Sequence, residues 1–459
     1  MAIPNPSTSA QVPGPAGLPL LGSALDFRRL GMFQMYQHLW QQHGDAVRVR
    51  VGPLTQYLFV QPSAVQHVLV DNQENYCKGL GYRKVKLLLG EGLVTSEGNF
   101  WRRQRRLMQP PFTPKNVTQF APTMVATTAE MAERWATYAA HDETVNVRAE
   151  MMRLAMQIIA RVMFSRDIEA DAQEAGTAFA YVLESITSRA AAAFELPAWI
   201  PTRDHRQFNQ ALRILDTFMY RMIREHQDRG SDTNDLLGQM LASRDPETGA
   251  AMNPQQLRDE VLTVFFAGHE TTAQALTWTW LLLDQHPAQA ATLHAELDRV
   301  LGTGSERRLP TVADLHNLPY TTMVVQESMR LYPPVWIFVR DAIKDDEVDG
   351  YRVPAGAMLV FSPYLTQRHP AFWEQPNEFR PERFAPEASA GRPRYAYFPF
   401  AAGPRICLGN NFALIEAVLV IATLAHRFAP QAVPGQSIRP RMAGTLRPDH
   451  DVLMQLQPR

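Results

Sequence analysis

Two cysteines occur in the 459 residues, Cys77 and Cys407, and only the second sits in a stretch whose neighbours suggest chemistry. The stretch reads Phe400-Ala-Ala-Gly403-Pro404-Arg405-Ile406-Cys407-Leu408-Gly409 and runs into an apolar segment beginning near Asn410. A thiolate, the form of cysteine that binds metals, is an anion, so it needs backbone N–H donors and a positive dipole end. A loop entering a helix N-terminus supplies both. Gly403 and Gly409 let the backbone turn and approach a flat partner closely. Arg405 is placed to meet an anionic edge of such a partner. Taken singly, Cys407 reads better as a buried structural cysteine between two turns.

Other constellations carry chemistry at helical spacing. Ala267-Gly268-His269-Glu270-Thr271-Thr272 puts a carboxyl beside a hydroxyl in the middle of the most apolar segment. A small residue at Gly268 leaves room for a small ligand, and a hydroxyl there disturbs the helical hydrogen bonds and can orient water. Such a pair of threonines is also compatible with plain packing. Glu327 and Arg330 are three apart and share one helical face, which alone describes an ordinary surface ion pair. Trp101 and Arg105 share a face too, with a core Trp and a solvated Arg as the plain alternative. Arg340 follows the run Tyr332-Pro-Pro-Val-Trp-Ile.

The pattern F-x-x-G-x-R-x-C-x-G around Cys407 resembles the cysteine-ligand loop of the cytochrome P-450 superfamily at every specified position, and the resemblance extends over nearly the whole chain. It implies a haem b cofactor (protoporphyrin IX iron) with Cys407 as the single protein ligand to iron, and Phe400 beside the sulfur tuning its donor strength. Trp101, Arg105, Arg340 and Arg405 would hold the propionates, with Gly403, Gly409, Ala267 and Gly268 against the cofactor. Glu327 and Arg330, with Arg383 from Phe379-Arg-Pro381-Glu382-Arg383-Phe384, would form the buried charge triad that braces the haem loop. Glu270 and Thr271 would deliver protons, and His269 would be a non-ligand. Cys77 has no such context.

The activity so implied is hydroxylation or epoxidation of an apolar organic substrate with O2, the thiolate favouring O–O cleavage. No flavin or iron–sulfur region is recognisable, so a separate electron donor is expected, a ferredoxin or flavodoxin with its reductase. Phe265 and Phe266, with Val335, Trp336 and Ile337, are expected to line the substrate pocket. A fatty acid, terpenoid, carotenoid or steroid would suit it, and the runs around Tyr332 and Ser362 are similar to bacterial carotenoid and fatty-acid hydroxylases. Two alternatives are a peroxide-using or isomerising haem-thiolate enzyme and a haem-binding sensor without turnover. The Glu270–Thr271 pair argues against both, since neither needs a proton relay.

The elements that must position these residues are legible in outline. The sequence predicts a mainly α protein with a small β region, and the resemblance implies a triangular helical body whose long central helix lies over the haem. A Pro-rich lead-in over 1–22 precedes one domain over 23–459. Asn253 caps the long helix, Pro254 fits its first turn, and the apolar pattern runs to His286 before Pro287, about 50 Å at 1.5 Å per residue. A second helix over 319–331 stops at Pro333-Pro334. A hairpin is predicted around Gly52-Pro53 and another at Asp349-Gly350, with strands over 358–361, 438–446 and 452–456. Lys plus Arg number 45 against 46 Asp plus Glu, which leaves no basic footprint for nucleic acid. A cytoplasmic monomer without a membrane span is expected.

Overall fold

The computed structural model describes residues 10–167, 169–191, 202–229 and 235–459. The first hairpin is β1 (Ala46–Val51) against β2 (Leu54–Phe59), followed by the short β3 (Tyr76–Cys77). In β1, Val47 and Val49 are buried while Arg48 and Arg50 stay out, the period of two that a half-buried strand requires. Helices follow: α1 (Gly98–Met108), α2 (Val147–Phe164), α3 (Glu169–Ala191), α4 (Arg203–Asp228), α5 (Pro254–Gln285) and α6 (Pro319–Leu331). Then come β4 (Phe338–Ala342) and β5 (Met358–Phe361), and finally α7 (Asn410–Ala425) behind Cys407.

The strands assemble in the order β1-β2-β5-β4-β3, with β2 and β5 parallel and the other pairs antiparallel. The sheet is therefore sewn from both ends of the chain. All four residues of β5 are buried, as its central position demands. A separate three-stranded sheet joins Thr144–Asn146, Leu453–Pro458 and Phe428–Ala432. The run predicted as one strand over 438–446 is instead a tight hairpin, Pro440–Ala443 against Thr445–Pro448, because Gly444 turns the chain at φ 86°.

The long helix α5 is buried along most of its length. Its N-terminus closes as a capping box: Gln256 N donates to Asn253 Oδ1 at 2.8 Å, and Asn253 N donates to Gln256 Oε1 at 3.0 Å. No helix among the described residues is long and apolar enough to cross a membrane. Of the lead-in, residues 1–9 lie outside the described residues. The rest is pinned rather than frayed: Arg48 N donates to Pro13 O at 2.7 Å, Val12 is buried, and Gly22 bridges to Val51.

Candidate active site

Cys407 lies deep in the protein, where burial pushes its thiol up while the Gly409 backbone and the Arg105 charge pull it down. Its surface is nevertheless open. Ala267 is likewise exposed, although the rest of mid-α5 is nearly all buried. Both therefore border interior space. The accessible residues of this part of α5 are Val264, Ala267, Gly268, Glu270 and Thr271, and four of them, all but Glu270, follow the i, i+3, i+4, i+7 stripe of one helix face.

The loop ahead of Cys407 is tightly built. Cys407 N donates to Phe400 O at 2.9 Å and Ile406 N to Gly403 O at 3.0 Å. Gly403 has φ 68°, and a Cβ there would stand 1.9 Å from Leu69 O, so glycine is dictated by the protein's own backbone. At Gly409 a Cβ would meet nothing within 4 Å, so the chain itself gives no reason for glycine there. Arg105 Nη1 donates to Ile406 O at 2.9 Å, tying α1 to the residue before the cysteine.

Around the loop cations gather. Arg405 ion-pairs with Glu97, donates to Ser96 O at 3.3 Å, and lays its guanidinium 4.2 Å from the centre of the Trp101 ring. Arg340 is buried on β4, with Nη1 donating to Val339 O at 2.7 Å. Lys78, which the sequence reading passed over, is buried beside them and donates to Leu93 O at 3.0 Å and Ser96 O at 3.3 Å. Burial first, then the Arg405 and Arg340 charges, push its ammonium down to about 6, with Glu97 and Glu260 opposing. Buried cations that repel one another suit an anionic group between them, which is the donor set that two carboxylates of a haem would require. The open thiol, the cation cluster and the small residue Ala267 together fit a haem.

The charge triad is assembled. Arg330 forks onto Glu327 through Nε at 2.6 Å and Nη2 at 2.8 Å, and Arg383 Nε reaches the same carboxylate at 3.2 Å. Glu327 and Arg330 are wholly buried. Arg330 also donates to the carbonyls of Gln367, Pro376 and Glu378, so the pair holds the irregular chain that leads to the cysteine loop.

On α5, Thr271 Oγ1 donates to Ala267 O at 2.7 Å. The Glu270 carboxyl is raised by burial and held by Thr445, whose hydroxyl donates to Oε1 at 2.8 Å; Arg447 and Arg148 pull it back toward ionisation. His269 packs among Phe179, Phe265 and Phe266, with Nδ1 3.2 Å from Phe265 O, and burial lowers it to about 4. It is a neutral core histidine.

Three expectations, for Phe265, Phe266 and Trp336, are corrected. Phe265 and Phe266 are 0% and 1% exposed and line no cavity. They point outward from the open stripe, Phe265 against Phe164 and Phe218, Phe266 stacked on Phe179 at 3.8 Å. Trp336 is buried against Phe33, in the core cluster that also holds Val360 and Tyr364, while Val335 beside it stays exposed. At Gly268 a Cβ would stand 3.2 Å from Ile159 Cδ1, so the packing of α2 also favours a small residue there.

A mainly helical body with a cysteine loop beneath a long buried helix is the build of a haem-thiolate protein. The chain belongs to the cytochrome P450 family, whose model matches residues 12–456. It is a cytochrome P450 monooxygenase with a haem cofactor, using oxygen and a redox partner. It is similar to "Cyclooctatin synthase" of Streptomyces melanosporofaciens, 38% identical over 94% of each chain. It is also similar to "Cyclooctat-9-en-7-ol 5-monooxygenase" of the same organism, 35% identical over 95% of this chain and 92% of that one. The crystal structure of the cytochrome P450DA heme domain shares the fold, with a TM-score of 0.89 at 24% identity over 98% of both chains.

Proposed function

We propose that this P450 hydroxylates a cyclic olefinic substrate of the terpenoid kind, with Cys407 as iron ligand. The balance is one C–H bond, O2, two electrons and two protons consumed, with one C–OH and one water formed. The haem, when bound, supplies oxygen activation and C–H oxidation. The chain's own residues do the rest. Lys78, Arg105, Arg340 and Arg405, with Trp101 stacked on Arg405, hold the cofactor's carboxylates. Phe400 and Gly409 shape the surroundings of the sulfur. Val264, Ala267, Val335, Ile337 and Val339 offer an apolar wall that orients substrate and excludes water. The haem is held as haem b, and electrons come from a separate ferredoxin or flavodoxin with its reductase. The protein works as a cytoplasmic monomer, one domain over 23–459.

The observation that carries the reaction is the Thr271 hydroxyl on the open stripe beside Ala267, with Glu270, whose carboxyl burial raises, next to it on the helix. Thr271→Ala is expected to keep the haem and the fold while product formed per reductant falls by roughly 10²-fold and peroxide takes its place. Unchanged product yield per reductant would remove Thr271 from proton delivery. Support for the substrate class comes from the relative named as acting on cyclooctat-9-en-7-ol, an olefinic alcohol. The test is a spectral binding screen with fatty acids, cyclic terpenes, steroids and carotenoids. Cyclic terpenes should displace water from the haem and shift its absorption at micromolar concentration. A shift with fatty acids or carotenoids and none with terpenes would overturn the assignment.

A further inference from the structure

Glu416 on α7 is a carboxylic acid in the wrong place for stability. It is 1% exposed, inside the helix that follows the cysteine, and neither of its oxygens receives a well-aligned hydrogen bond. The Thr272 hydroxyl of α5 faces it and offsets the cost of burial only in part. Leaving a buried carboxyl so poorly served costs stability, and an apolar residue of similar size would avoid that cost.

The threonines of α5 give the second observation. Thr263, Thr271, Thr277 and Thr279 each donate to the carbonyl four residues back, at 2.7–2.8 Å. This is the local bond a helical threonine makes when nothing competes. Thr272 makes no such bond in the structure, and its hydroxyl faces the unpartnered Glu416 carboxyl on another helix. Thr272 adjoins Thr271, so whatever fixes the rotation of α5 at Thr272 also fixes where Thr271 and Ala267 face.

We propose that Glu416 and Thr272 form a buried acid–hydroxyl link that sets the rotation of α5 relative to the cysteine-bearing segment, which makes Glu416 a positioning residue for oxygen activation. The link joins the two helices between which the haem is held, and the proposal rests on the P450 reading given above. Burial pushes the Glu416 carboxyl up to about 8, so at neutral pH it holds its proton and can share it with the hydroxyl.

The experiment compares Glu416→Leu, Glu416→Gln, Thr272→Val and the double variant Glu416→Leu/Thr272→Val in the haem-loaded protein, measuring peroxide released per reductant oxidised and the thermal midpoint. Glu416→Leu and Thr272→Val should each raise the peroxide fraction by roughly threefold or more, the size expected of directly coupled neighbours. Glu416→Gln, whose amide can still meet the hydroxyl, should restore most of the coupling. The double variant should be no worse than either single one. Coupling in Glu416→Leu equal to the unaltered protein, or additive effects in the double variant, would overturn the link. Should Glu416→Leu fail to fold, the near-isosteric Thr272→Val carries the test alone. A protein without any monooxygenase turnover would refute the functional reading instead, and the midpoints of the four proteins would still show whether the two side chains are coupled.

Discussion

Cys407→Ser should abolish turnover and remove the red-shifted absorption of the reduced, carbon-monoxide-bound haem. The side chain is nearly isosteric, and the loop that carries it is held by bonds that do not involve sulfur: Cys407 N to Phe400 O, Ile406 N to Gly403 O, and Arg105 to Ile406 O. The variant should therefore fold and keep its cofactor pocket. What changes is the donor. A cysteine next to iron is deprotonated outright by the metal, and the Arg105 charge already favours the anion. A serine hydroxyl stays protonated there and pushes far less electron density to iron. Product formation should fall below detection while the protein's thermal midpoint moves little. A variant that still showed the red-shifted band would mean that sulfur is not the ligand.

The second large effect belongs to a residue distant from the chemistry. Arg330→Ala leaves Glu327 as a wholly buried carboxylate with only Arg383 and the Arg380 backbone N–H near it. It also strips donors from the carbonyls of Gln367, Pro376 and Glu378. Breaking a buried pair in this way costs about 3–5 kcal/mol, a large share of a domain's stability. The expected outcome is a protein that expresses poorly and does not retain haem. Replacing both partners by apolar residues, Glu327→Leu with Arg330→Met, should recover part of the thermal stability, because no charge is then left unpaired. Recovery of stability without recovery of haem retention would show that the carbonyl contacts of Arg330, more than its charge, shape the loop. A stable, haem-loaded Arg330→Ala protein would contradict the bracing role.

Local chemistry made part of this legible in the sequence. Asn253, Pro254 and Gln256 announce the start of the long helix because capping is decided within four residues, and α6 and β5 lie where their proline and turn signals put them. The spacing of Glu327 and Arg330 dictated that they would meet, and the structure shows them meeting. The orientation of the long helix was not legible. A helix buried on nearly every side has no polar stripe to mark its outer face, so Phe265 and Phe266 could not be assigned a direction from their neighbours. The open stripe of Val264, Ala267, Gly268 and Thr271 emerges only from how α2, α3 and α4 crowd the other faces. Trp336 failed similarly, since nothing next to it in sequence says that it packs into the core beside Phe33. Lys78 was invisible for another reason. Its partners, Leu93, Ser96, Arg340 and Arg405, come from three separate segments, and no local pattern joins them.

The proposed reaction is oxygen insertion by a cysteine-ligated haem fed with electrons from a separate donor. Turnover of a cyclic terpene under ¹⁸O2, with reductase, ferredoxin or flavodoxin and reduced nicotinamide cofactor, tests it most directly. One labelled oxygen should appear in the alcohol, only when the electron supply is complete. Product carrying unlabelled oxygen from water, or formed equally well from peroxide without reductant, would contradict it.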